Sequence, residues 1–156
     1  MPASDAVDRF CASARAEGLA PEVSRYPDGT RTAVDAAAAV GCGVDQIVKS
    51  LVLMAGDQSV LVLCSGSRRV DLDALSGHLD QHVRMATAEE AREATGFAIG
   101  GTPPFGHPVP LRTIFDPHLA TFDTVYAAAG TPDSVFAIDP ASLMSITDAE
   151  PADVTS

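Results

Sequence analysis

Two β-favouring runs, Ser50–Ala55 and Ser59–Cys64, are joined across Gly56-Asp57. Each is apolar along almost its whole length, so neither has a polar face to offer water. A glycine-containing link this short folds them back on each other as an antiparallel hairpin at the centre of a sheet. The longest apolar stretches, Leu51–Ala55 and Val60–Cys64, are far too short to span a bilayer. The rest of the chain therefore has to cover this hairpin.

The flanking patterns supply the cover. Ser4 is placed to cap a first helix to about Glu17, with Val7, Phe10, Cys11 and Ala14 on one face and Gly18 as its stop. Glu22–Tyr26 reads as a short strand and Pro27-Asp28-Gly29 as a turn. Thr32 opens a second helix through the alanines at 36 to 39, ended by Gly41, and Val44–Ile47 forms a short helical turn. Asp71–Leu79 and Thr87–Thr95 are helical, the latter opened by the capping box Thr87-Ala88-Glu89-Glu90. Arg112–Phe115, Asp123–Ala128 and Ser134–Ile138 are strands, and Asp139-Pro140 begins a last helix to about Met144. Several strands follow one another through turns, which favours an α+β fold with a mixed sheet over a doubly wound parallel one. The length suits a single domain over residues 1–148, with a polar tail at 149–156 expected to fray.

Lys49 is the only lysine; every other cationic side chain is arginine. It stands within Ile47-Val48-Lys49-Ser50-Leu51-Val52, where an ammonium is costly unless it has a partner. That partner is either an oxygen of a ligand or a structural Asp. Glycine and proline are densest at Gly100-Gly101-Thr102-Pro103-Pro104-Phe105-Gly106-His107-Pro108. Such a loop either displays backbone N–H groups to a carbonyl oxygen or oxyanion, or simply connects two strands.

A formal charge of −11 argues against broad nucleic-acid binding, DNA included, but leaves open the recognition of one nucleotide end by a few residues. Arg68, Arg69, Arg84 and Arg112 either form a positive rim around Lys49 or are scattered surface charges. Cys11, Cys42 and Cys64 have no CxxC spacing, and Cys64 reads as a small buried hydrophobe. His78 and His82 lack a further ligand for zinc, so no metal or cofactor is expected. Gly41-Cys42-Gly43 has Gln46 where a dinucleotide fingerprint needs glycine. There is no G-x-S-x-G, Ser65-Gly66-Ser67 reads as a turn, and His107 and His118 have no adjacent nucleophile. Nothing near the N-terminus resembles a signal peptide, so a cytoplasmic protein with no membrane partner is expected.

In order and spacing, the segments Thr32–Ala37, Gln46–Val52, Val70–Leu72, Thr95–Phe97, Gly100–Gly106 and Ala129-Gly130 resemble the YbaK/ProX family. These are trans-acting aminoacyl-tRNA editing proteins, related to the editing domain inserted in bacterial prolyl-tRNA synthetases. The resemblance implies a mixed, mainly antiparallel, barrel-like β-sheet surrounded by helices, and a pocket for the aminoacylated 3′-terminal adenosine of a tRNA. It places the family's lysine on Lys49, its GxxxP loop on Gly100 to Pro104 and a C-terminal glycine on Gly130. Lys49 would anchor the substrate while the N–H groups of Gly100 and Gly101 hold the reacting carbonyl. Thr32, Ser50, Thr102, Pro104 and Gly130 are the expected substrate-binding positions. The implied reaction is hydrolysis of a mischarged ester, of Cys, Ala or a similar small amino acid, with no general base assigned. A tRNA synthetase or elongation factor is the expected partner. A non-catalytic binding module of the same fold is the alternative.

Overall fold

The computed structural model describes residues 3–27, 30 and 32–156, with side chains from residue 6 onward. Asp28 and Gly29 of the expected turn thus lie outside what is described, and α1 begins at Ala3, so Ser4 lies inside the helix and does not cap it. In chain order the elements are α1 (Ala3–Ala16), β1 (Val23–Arg25), α2 (Ala33–Val40), a 3-10 turn (Val44–Gln46), β2 (Ile47–Ala55) and β3 (Gln58–Ser65). They continue with α3 (Leu72–Leu79), β4 (Val83–Met85), α4 (Ala88–Thr95), β5 (Arg112–Phe115), a second 3-10 turn (Pro117–Thr121), β6 (Val125–Ala128), β7 (Ser134–Ile138), α5 (Pro140–Thr147) and β8 (Glu150–Pro151).

The hairpin is central, as its apolarity demands. β2 and β3 pair antiparallel from Val48↔Ser65 to Ala55↔Gln58 within the sheet order β1-β7-β6-β2-β3-β5-β8, and β4 joins β2 off this path. Four pairings are antiparallel and three parallel, so the sheet is mixed and mainly antiparallel. Alternation along β3 divides the core. Leu61 and Leu63 join Phe10, Phe97, Phe105, Phe115 and Phe136 on one face. Val60, Val62 and Cys64 join Leu53, Leu75, Ile114 and Val154 on the other. The aromatic face is closed by α1, whose Phe10 ring lies 4.7 Å from that of Phe136 and 5.1 Å from that of Phe105.

The second edge of β2 positions the site. Ile47 and Val48 pair with Tyr126 and Ala127 of β6, and Leu53–Ala55 pair with β4. Between them, Lys49, Ser50 and Leu51 have no strand partner on that edge among the described residues. The sheet therefore splits there, and the split exposes the middle of its most buried hairpin.

The other capping signals fold as read. Thr32 accepts from Asp35 N–H, and Thr87 and Glu90 exchange bonds of 3.2 and 2.9 Å. The C-terminal stretch does not fray. β8 pairs with β5, Val154 is 2% exposed, and Ser156 and Arg69 exchange main-chain bonds of 2.8 and 3.0 Å. Val154, Ala152, a free sheet edge and the main-chain bonds to Arg69 together dock it.

Candidate active site

The split in the sheet opens into a cleft of ≈ 580 Å³, within the range of small-molecule sites. β2 forms its floor, α2 and the Gly66–Arg69 turn form walls, and Ile99, Gly100 and Thr102 close another side. Lys49, Arg68 and Arg69 line it, and no Asp or Glu is among the described residues that do. In a chain of net charge −11, that makes the cleft a local island of positive charge.

Lys49 is half-buried, and its ammonium donates to the main-chain carbonyl of Arg68. Among the described residues it has no carboxylate partner, so the buried ion pair allowed by the sequence is not what holds it. A carbonyl aims the ammonium while leaving its full charge and further N–H groups for a ligand. Cys64, opposite Lys49 in the hairpin, puts its Sγ 3.4 Å from the same carbonyl. Burial pushes the Cys64 thiol up to about 11, and the Lys49 charge only partly offsets this. Cys64 is therefore a neutral packing thiol, as expected for a residue with no exposure.

The other expected positions separate into two groups. Thr32, Ser50, Gly100 and Thr102 line the cleft with Lys49. The Ser50 hydroxyl is buried without a hydrogen-bond partner. Leaving such a group unpaired costs about 1–3 kcal/mol, which a ligand atom would recover. Gly100 adopts φ +89°, a conformation natural to glycine, and its N–H has no acceptor among the described residues. Thr102 donates its hydroxyl to Ala98 O at 3.1 Å.

Gly101, Pro104 and Gly130 fall behind this surface. The Gly101 N–H donates to Ala98 O at 3.0 Å, so it is not available to a reacting carbonyl. A Cβ on Gly101 would sit 2.6 Å from Thr131 Cα, and one on Gly130 2.8 Å from Ala6 O. Both glycines permit close backbone packing: the 101 segment lies on 130–131, which lies on α1. Pro104 lines a separate, smaller recess of ≈ 140 Å³ with His107 and Leu111. Burial holds His107 below its ordinary range, and its Nε2 lies 2.9 Å from Pro103 O, tying the loop to itself.

The Ser65-Gly66-Ser67 turn is more than a connection. A Cβ on Gly66 would lie 2.3 Å from Val44 O, so only glycine lets the turn reach its place. Ser65 Oγ donates to Asp45 O at 2.7 Å, and its N–H donates to Asp116 Oδ2 at 3.0 Å. The Ser67 hydroxyl, and next His118 at 3.1 Å, hold the Asp45 carboxyl below the usual range. Serines around a glycine looked like any other turn; only the long-range contacts reveal its task of presenting the carbonyl that aims Lys49. The expected rim also shrinks. Arg84 forks onto Glu90 at 2.8 Å and Arg112 onto Glu150 at 2.9 and 3.1 Å, leaving Arg68 and Arg69 at the cleft.

A mixed α+β fold thus carries, at a break in its sheet, a cationic cleft lined by no carboxylate among the described residues. The aminoacyl-tRNA editing domain profile matches residues 27–146, and the chain belongs to that family. It is 30% identical over 123 residues to the uncharacterized protein YwhH of Bacillus subtilis, covering 78% of each. It is 37% identical over 82 residues to the proline–tRNA ligase of Thermosipho africanus, a match spanning 52% of this chain and 15% of the ligase. A solved structure described as a "putative trans-editing enzyme for prolyl tRNA synthetase" superposes with a TM-score of 0.93 at 41% identity, covering 100% of this chain and 98% of that one.

Proposed function

We propose that this protein is a trans-acting aminoacyl-tRNA deacylase that hydrolyses the ester of a tRNA mischarged with a small amino acid such as Cys or Ala. The observation that carries this reading is Lys49 in one cleft with the Gly100 N–H and the Ser50 hydroxyl, none of the three having a carboxylate or side-chain partner among the described residues. Family membership and the trans-editing neighbour support it.

In the reaction, Lys49 anchors the ribose or phosphate of the terminal adenosine. The Gly100 N–H stabilises the oxyanion as water adds to the carbonyl carbon. The bond from that carbon to the ribose oxygen then breaks; its electrons and a proton go to the ribose oxygen, releasing the free amino acid and a tRNA with a free terminal hydroxyl. Gly101 supports the loop from behind and gives no bond to the oxyanion. Thr32 and Thr102 border the ligand, while Pro104 and Gly130 shape the loops around it. No cofactor or metal enters this scheme. The reaction belongs in the cytoplasm, where tRNA is charged, with a synthetase or elongation factor delivering the substrate; among the described residues no helix is long and apolar enough to cross a membrane.

A second reading, a non-catalytic module that holds an aminoacyl end, draws on one feature: among the described residues no carboxylate or histidine lines the cleft to serve as base. A panel of Ala-, Cys- and Ser-tRNAs mischarged on non-cognate acceptors separates the two. Multiple turnovers on any of them, reduced about 10²–10³-fold in Lys49→Ala, are expected of the deacylase. Saturable binding without turnover establishes the module instead.

A further inference from the structure

We infer that Arg68 and Arg69 form the binding site for backbone phosphates of the single-stranded 3′ end of the RNA, a subsite beside the ester-reading part of the cleft. The inference rests on the tRNA reading above, and its test does not depend on hydrolysis.

The first support is position: among the described arginines, Arg68 and Arg69 are the two that line the cleft. Arg25, Arg84 and Arg112 are paired to Asp133, Glu90 and Glu150. Arg68 and Arg69 line the cleft, and neither has a carboxylate partner among the described residues. The Arg68 guanidinium has only a long contact, 3.5 Å to Thr155 Oγ1. Arg69 is exposed, and among the described residues its side chain makes no hydrogen bond; its main chain is engaged. The carboxyl of Asp45 is held by Ser67 and His118; it feels the Arg68 charge but makes no ion pair with it.

The second support is rigidity. The main chain of this turn is fixed at both ends. Gly66 N–H donates to Ile47 O at 2.8 Å, Arg68 N–H to Ser65 O at 2.9 Å, and Arg69 exchanges two bonds with Ser156. Asp71 N–H adds a bond of 2.7 Å to Val154 O. Because the backbone is already fixed, two adjacent guanidinium groups lose only side-chain freedom when they meet phosphates, and the guanidinium fork matches a phosphate's paired oxygens. The carbonyl that aims Lys49 belongs to Arg68 itself, so ester anchor and phosphate site are built on one turn. A polyanionic strand entering here has its terminal sugar at Lys49 and its upstream phosphates at the arginines. Because the rest of the protein is acidic, such contacts end where the turn ends.

The experiment is fluorescence anisotropy with an uncharged RNA stem-loop ending in a single-stranded 3′ overhang, titrated with the full protein between 50 and 200 mM salt. For single strands, each phosphate contact contributes about 0.7 to the slope of log affinity against log salt. Arg69→Gln keeps the main-chain bonds to Ser156. It is expected to weaken binding by about tenfold at low salt and to lower the slope by about 0.7. Arg69→Lys is expected to recover much of the slope, because it restores the charge, and Arg112→Gln to change neither quantity. In deacylation, Arg69→Gln is expected to raise KM and leave kcat unchanged. An unaltered slope in Arg69→Gln and Arg68→Gln, or salt-independent binding by the wild type, overturns the inference. A slope change without any hydrolysis upholds the phosphate site and removes the deacylase; hydrolysis with an unaltered slope does the reverse.

Discussion

Adjacent glycines at 100 and 101 have opposite demands, and alanine substitution separates them. At Gly101 the backbone conformation is ordinary, but an added Cβ lands 2.6 Å from Thr131 Cα, 2.8 Å from Thr131 C and 3.0 Å from Gly130 O. These are backbone atoms, so no side chain can swing aside. Nor can the 130–131 segment retreat, because Gly130 already lies where a Cβ would meet Ala6 O of α1 at 2.8 Å. Overpacking into a site that cannot yield costs about 1–3 kcal/mol or slightly more, and this one belongs at the top of that range. At roughly 2–4 °C per kcal/mol for a chain of this size, Gly101→Ala should melt about 6–12 °C below wild type. At Gly100 the space is open, with Pro132 Cγ 3.8 Å away, but φ is +89°. Alanine there carries only a left-handed backbone penalty of about 1–2 kcal/mol. Urea unfolding of both variants gives the two costs directly. Deacylation, measured well below each melting temperature, should fall in both, in Gly100→Ala through misdirection of its N–H. A Gly101→Ala protein within 0.5 kcal/mol of wild type would refute the packing argument.

Other substitutions test the remaining parts of the site. Lys49→Met should lose deacylation about 10²–10³-fold while unfolding like wild type, since no carboxylate is left unpaired; circular dichroism and single-turnover assays check this. Cys64, with its thiol at about 11 and no exposure, should resist a thiol reagent at pH 8 in the native protein and react once urea unfolds it. Glu90 is lowered to about 2, first by Arg84 and then by Thr87 N–H. Its folded value lies below its unfolded one near 4.5, so its support for the α4 start is full above that value and is lost as pH falls toward 2. The Glu90 carboxyl resonance should titrate near 2, and in Arg84→Met well above that. His107 is also lowered, by burial, so the unfolded chain takes up its proton first. Stability should therefore fall as pH drops below about 6.5, and less so in His107→Gln; acid-limb unfolding curves measure this.

Much of the fold is legible because hydrophobic runs and caps are local signals. The β2–β3 hairpin follows from two apolar runs and a glycine link, and α2, α4 and α5 from Thr32, the Thr87–Glu90 box and Asp139-Pro140. The strands β4 and β8 are three and two residues long, too short for any period to register. The docked C-terminus depends on Val154 and Ala152 meeting a core formed by distant residues and on main-chain bonds to Phe115, Asp71 and Arg69. In the site, Lys49 is visible through its isolation in the composition, and Gly100 through the glycine–proline density. Gly101 shares that density for a different reason, the close stacking of 98–101 on 130–131, and Gly130, marked by the family resemblance, is needed where 130–131 stacks on α1. Sequence reports that glycine is needed, not whether its missing side chain makes room for a ligand or for another loop. Gly66 was unreadable for the same reason: the Val44 carbonyl it avoids is 22 residues away.

The charge of the molecule sets how this cleft can be used. With a net charge of −11, the protein as a whole repels a polyanion, and at physiological salt that repulsion is screened beyond about 8 Å. On the proposed reading, an RNA would meet the repulsive surface and the cationic cleft at similar range, and only a strand thin enough to enter between α2 and the Gly66–Arg69 turn would gain more than it loses. A duplex stem held outside would feel the net negative charge of the molecule, whereas a single-stranded end inside would meet Lys49, Arg68 and Arg69. Low affinity and slow encounter are the cost, which a synthetase or elongation factor presenting the end would offset. Neutralising acidic residues remote from the cleft should accordingly raise kon for free tRNA and lower discrimination between stem and overhang, leaving kcat unchanged. Stopped-flow binding of matched duplex and overhang RNAs measures both. A variant that gains affinity for the overhang alone would show that the acidic surface plays no part in selecting the substrate end.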